Sequence, residues 1–112
     1  MQTTNLNFPI VVLGRDIKIT PAIRYYAISH IRRVHLDYPR ITDAKVTCWR
    51  EHHEVVVSIS FRCADHIHIE AKAHGLTVEA GIDLAFDKAE RQMRKRNTRR
   101  LQAQQEPAGV AC

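Results

Sequence analysis

The chain has 112 residues, 45% hydrophobic and 26% charged, the size and balance of one globular domain with a modest core. Seventeen Lys and Arg against twelve Asp and Glu leave +5 at pH 7 and a pI near 9.4, an excess that favours a polyanion, nucleic acid or anionic lipid, without choosing between them. No apolar run approaches the ~20 residues needed to cross a bilayer, and no secretory signal opens the chain. Cys48, Cys63 and Cys112 lack the close pairing of a zinc or redox motif, so a reducing cytoplasm is the expected setting.

Met1 to Asn7 is polar and reads as a flexible N-terminus. Phe8 to Leu13 is apolar and β-branched, a first strand, and Gly14 marks a bend or bulge. Ile17 and Ile19 flank Lys18, so the strand is expected to resume briefly. Thr20-Pro21 opens a helix: a hydroxyl to cap bare amides, then a residue that needs no amide. Its apolar stripe is Ile23, Ala27, Ile31 and Val34, and Pro39 predicts an end near Leu36.

Three alternating segments follow. Ala44, Val46 and Cys48 oppose Lys45, Thr47 and Trp49; Val55, Val57, Ile59 and Phe61 share one face; Ile67, Ile69, Ala71 and Ala73 oppose His66, His68, Glu70, Lys72 and His74. Alternation of this kind implies a sheet with one dry and one wet face. The links at 51–53 and 63–65 are short enough for hairpins. Thr77 caps a second helix, with Val78, Ile82, Ala85, Phe86, Ala89 and Met93 as its stripe. The expected fold is α+β in the order β-α-β-β-β-α, a four-stranded sheet with two helices packed on one face. Residues 8–102 form its single domain and 103–112 a disordered tail.

The second helix carries the most informative chemistry. At about 100° per residue, Lys88, Arg91, Lys95 and Arg99 make one longitudinal stripe, with Asp83, Asp87 and Glu90 on the other flank and only Arg94 among them. Opposite charges are therefore expected to be segregated. After Glu90, the run Arg91, Arg94, Lys95, Arg96, Arg99 and Arg100 contains no acid. Such a rod suits a phosphate backbone; the plainer alternative is a solvated helix end with dipole-compensating charge. Arg24, Arg32, Arg33 and His35 of the first helix are expected to extend one basic surface if the helices lie side by side.

Other chemistry has less support. His66 and His68 share a strand side and His52-His53 sit in a hairpin loop, yet no Cys or carboxylate is spaced to complete a zinc site. No phosphate loop or nucleophile motif is present, and Cys48 reads as core packing. Trp49 and Tyr25 are expected to be exposed and able to stack on bases. No enzyme, metal or cofactor is expected.

Val11 to Ile31 (VVLGRDIKITPAIRYYAISHI) and Glu79 to Lys95 (EAGIDLAFDKAERQMRK) resemble the ribosome hibernation-promoting factor and ribosome-associated inhibitor family. Gly14, Ile17, Ile19, Thr20, Ala22, Ile23, Arg24 and Tyr26 fit the first motif, and Ala80, Ile82, Asp83, Ala85, Asp87, Lys88, Glu90, Arg91, Gln92 and Lys95 the second. The resemblance spans roughly residues 8 to 100. It implies the β-α-β-β-β-α fold and a partner, the small ribosomal subunit and its rRNA, bound between head and body where messenger and transfer RNA pass. Translation would be blocked sterically under stress or in stationary phase. Lys88, Arg91, Lys95, Arg99, Arg94 and Arg96 would face rRNA, with Arg24, Arg32 and Arg33 nearby. Gly81, Ala89, His30 and Ile28 depart from the family pattern. The chain stops at Cys112 without the second, dimer-forming domain of long members or the acidic tail of the inhibitor type. The short type is thus expected, monomeric when free and in need of a separate partner to pair ribosomes. Two alternatives stand: a general RNA-binding module, and a protein-interaction subunit, for instance of a sigma factor, using the wet sheet face.

Overall fold

Period-two alternation yields four strands, β1 (Ile10–Arg15), β2 (Ile41–Glu51), β3 (Glu54–Cys63) and β4 (His68–Gly75), in the computed structural model, which describes residues 8–33 and 40–105. They form one sheet in the order β1-β2-β3-β4, with β1 parallel to β2 and the other pairs antiparallel. Helix α1 (Pro21–Arg32) crosses from β1 to β2, and α2 (Val78–Gln105) follows β4. The inward residues of the strands, Phe61, Ile59 and Val46 among them, share one core with Ala27 and Ile31 of α1 and Ile82, Ala85, Phe86, Ala89 and Met93 of α2. The architecture is the expected one, both helices covering a single sheet face.

Local chemistry explains the helix starts. Thr20 accepts from the Ile23 amide at 3.2 Å and Thr77 from the Ala80 amide at 3.1 Å, each serving an amide that has no partner within its helix. Where α2 begins, it lies unusually close to the sheet. A Cβ on Gly75 would stand 2.6 Å from the Gly81 amide nitrogen, and one on Gly81 would stand 2.7 Å from Val57 Cγ2.

The boundaries differ from expectation in five places. β1 starts at Ile10 and runs straight through Gly14; the bend comes at Asp16, with φ 60°. Ile17 and Ile19 do not resume the strand, because the chain has turned away from β2; they pack half-buried against the core. α1 ends at Arg32, capped by Arg33, short of Leu36, which with Val34, His35 and Pro39 lies outside the described residues. α2 continues to Gln105, three residues into the expected tail, whose remainder also lies outside them, as does the N-terminal segment 1–7. His66 sits in the β3–β4 turn and not on β4.

In that turn Asp65 and His66 both adopt left-handed backbone, φ 65° and 62°, and the Ile67 amide donates to Ala64 O at 3.4 Å. Two consecutive left-handed positions define the hairpin turn that favours Asn-Gly, and a left-handed L-residue costs roughly 1–2 kcal/mol. Asp65→Asn with His66→Gly is therefore expected to stabilise the domain by about 1 kcal/mol. A raised urea midpoint at unchanged slope checks this.

Candidate nucleic-acid interface

The direction of α2 places its cations. Gly81 lies against Gly75, Lys88 Nζ donates to Lys72 O at 3.0 Å, and Gln92 Nε2 to Glu70 O at 2.9 Å, so the helix runs antiparallel to β4. Among its described side chains, Met93 is the last that is fully buried. With 28 residues α2 is about 42 Å long, and β3, with 10, about 33 Å. The helix is thus longer than the sheet by about 9 Å, roughly six residues, and Lys95, Arg96 and Arg99 lie exposed at the sheet end, just before that excess.

Other cations meet them there. β2 starts and β3 ends at this end, where the Ala64 amide donates to Arg40 O at 2.9 Å, and Arg40 and Arg62 are exposed. α1 runs parallel to α2: Tyr26 and His30 reach Asp83, while Arg33 lies beside Asp87 and Glu90. Arg32 and Arg33 thus arrive at the same end. Among the described residues Arg32, Arg33, Arg40, Lys95, Arg96 and Arg99 have no ion-pair partner, and Arg62 meets Asp43 at 3.9 Å. The result is a positive pole at one end of the molecule, where seven cations outnumber the acids Asp43, Asp65 and Glu90. Arg40 and Arg62 were not singled out from the sequence. The alternation placed Arg62 on the wet face, but only the antiparallel course of α2 shows that both stand beside the helix end.

The remaining expected residues fall elsewhere. Arg24 is in the first turn of α1, at the far end of the molecule. Lys88 bonds the edge of β4, so its ammonium is already engaged. The expected charge segregation is corrected: Arg91 pairs with Asp87, and Arg94 with Glu90 at 2.9 Å. Residues four apart stand only about 40° from each other around a helix, so the cation stripe touches the acid flank. Exposed pairs of this kind contribute about 0.3–0.5 kcal/mol each; a phosphate can displace the acid, yet the pairs weaken the field.

The basic surface shared by α1 and α2 is confined to the pole, where Arg32 and Arg33 meet Lys95, Arg96 and Arg99, and does not run along the seam between the helices. The flank of α2 that turns to α1 is the acidic one, and Asp83, Asp87 and Glu90 line a cleft of about 200 Å³ with His30, Arg33 and Phe86. Tyr26 donates its hydroxyl to Asp83 at 2.7 Å, His30 Nε2 contacts the same oxygen at 2.7 Å, and the His30 ring stacks on Phe86. The bond to Asp83, with burial and the carboxylate's charge, holds the Tyr26 pKa above its ordinary value. Tyr26 and His30 stand four apart on one helix face, a visible pair whose acidic partner is not visible in the sequence.

Cys48 and Cys63 are buried, and burial pushes both thiols up to about 11, far from a reactive thiolate at neutral pH. Cys48 is core packing, as its alternation indicated. Among the described residues no three His, Cys, Asp or Glu side chains gather as a metal site, and no helix is long and apolar enough to cross a membrane.

Comparison with known proteins gives the chain its relatives. A structure of a ribosomal subunit interface protein from Coxiella burnetii superposes with a TM-score of 0.75 at 20% identity, covering 81% of this chain and 99% of that one. The Protein Y N-terminal domain of Thermus thermophilus gives 0.67 at 24% identity, covering 76% and 93%. At these identities the likeness establishes the fold. No functionally curated sequence matches. The sequence model of the sigma 54 modulation protein / S30EA ribosomal protein family matches residues 10–101, nearly the whole described domain, and the chain belongs to that family.

Proposed function

We propose that this protein is a ribosome-hibernation factor of the cytoplasm. It binds the small ribosomal subunit through rRNA in the channel of messenger and transfer RNA, and so stops translation under stress or in stationary phase. The observation that carries the proposal is the positive pole, where Lys95, Arg96 and Arg99 stand exposed at the sheet end with Arg32, Arg33, Arg40 and Arg62. Family membership and fold likeness support the ribosome as the polyanion. Inhibition of this kind is occupancy: no bond is made or broken, and no cofactor is required. The chain is monomeric when free.

Sedimentation of the purified protein with ribosomes and with each isolated subunit, across a salt series, tests the proposal. The protein is expected to pellet with the small subunit and to leave it as salt rises, because each phosphate contact releases counterions. Equal pelleting with the large subunit, or association indifferent to salt, would refute it. Binding that persists after the pole charges are reversed would favour the protein-interaction alternative.

A further inference from the structure

The wet sheet face holds a second cationic feature, at the end opposite the pole. Trp49 of β2 stands in register beside Arg15 of β1 and Val56 of β3. Val56 points to the wet side yet is fully buried, and Trp49 itself is half-buried, where the sequence suggested exposure. The Arg15 guanidinium carbon is 4.7 Å from the indole ring centroid and Lys72 Nζ is 5.6 Å from it. Neither cation has an ion-pair partner among the described residues. The adjacent acid, Glu51, lies at the ring's edge: it accepts from the indole N–H at 3.3 Å and meets His74 at 3.6 Å. Its carboxyl is held below the ordinary range by that indole bond first, with His74 and Lys72 adding to it. The indole is thus fixed in orientation, with two cations drawn to its π system. Beside it, Leu13 presents exposed apolar surface on the same face.

We infer that Arg15, Trp49, Lys72 and Leu13 form a site for one nucleotide unit of single-stranded RNA. Its phosphate lies between the two cations, and its base stacks on the guanidinium-indole pair and the Leu13 ledge. Like charges held near one ring repel each other, and an anion between them removes that repulsion. Guanidinium planes and aromatic rings both accept unstacked bases. A duplex keeps its bases stacked inside, out of reach of a ring lying against a sheet. The site extends the RNA-binding proposal and rests on it for the class of partner. Eight residues of β2 separate Trp49 from Ile41 at the pole, about 27 Å, so one RNA surface can touch both.

The test is a titration of a labelled 12-nucleotide single strand and a 12-base-pair duplex into the full chain, read by anisotropy and by emission of Trp49, its single tryptophan. The wild type is expected to bind the strand with saturable quenching of Trp49. Arg15→Gln with Lys72→Gln, and separately Trp49→Leu, should each weaken strand binding about tenfold and leave duplex binding within twofold, with Trp49→Phe close to wild type. Lys95→Glu with Arg99→Glu should weaken both ligands, which separates the pole from this site. Strand binding unchanged in the Arg15/Lys72 variant overturns the site, even if the pole variant fails to bind. Unchanged strand binding combined with lost pelleting on ribosomes would assign the face to a protein partner and equally overturn it. Should Trp49→Leu not fold, the Arg15/Lys72 variant and the wild-type quenching decide alone.

Discussion

Reversing Lys95, Arg96 and Arg99 to Glu is expected to lower affinity for the small ribosomal subunit by at least on the order of 100-fold, and to flatten its salt dependence by about three contacts' worth of slope. All three are exposed side chains near the end of α2, past Met93, the last fully buried one among its described side chains. The fold has little reason to notice the change, so circular dichroism and the thermal midpoint should stay near wild type. A variant that keeps its helix content and still pellets fully would remove the pole from the proposed function. The contrasting case is Lys88→Glu, on the same stripe. Because Lys88 donates to Lys72 O, that substitution should cost stability, while its effect on binding should be several-fold smaller than the triple reversal. Arg91→Glu is intermediate, since Asp87 already neutralises part of its charge.

Gly75→Ala is expected to destabilise the domain by about 1–3 kcal/mol, more than Gly81→Ala at the other side of the same contact. The added methyl at Gly75 meets backbone, the Gly81 nitrogen at 2.6 Å and the Ala80 carbonyl carbon at 3.0 Å; backbone yields only if the first turn of α2 lifts from the sheet. At Gly81 the obstruction is Val57 Cγ2, the tip of a side chain, and alanine returns about 1 kcal/mol of helix propensity. Urea unfolding of the two variants separates them; equal losses, or a costlier Gly81→Ala, would contradict the geometry. Against a total stability of 5–15 kcal/mol for a typical domain, the Gly75 substitution is a substantial fraction. Gly75, at the end of β4, is thus what lets the first turn of α2 seat on the sheet.

The central sheet was legible because one of its faces is dry. Val55, Val57, Ile59 and Phe61 must all point inward, and a slip of one residue would expose every one of them. β1 was less legible, since its ends depend on where β2 offers partners and on the left-handed turn at Asp16, neither of which leaves a period. The stripe of α2 read correctly for the same reason as β3. Its charges read correctly in position but not in pairing, because the angular gap between Arg91 and Asp87 is small enough for a salt bridge. Tertiary direction was the missing quantity elsewhere. Arg40 and Arg62 join Lys95, Arg96 and Arg99 only because α2 runs back along β4. Arg24 is excluded because α1 begins at the other end. The Asp83 carboxylate, held by Tyr26 and His30 from 57 and 53 residues away, shows that the acids of α2 stitch the helices together, which a pattern of charge signs does not convey.

The amine of Lys88 and the amide of Gln92, resting on the outer carbonyls of Lys72 and Glu70, make the two margins of the sheet unequal. On the β4 side an incoming strand would have to strip both donors before forming its first bonds. On the β1 side no side chain among the described residues bonds the outer backbone in this way. A molecule with one open margin can accept one neighbour there and then has nothing left to offer, so accidental strand pairing stops at two copies instead of growing into a fibre.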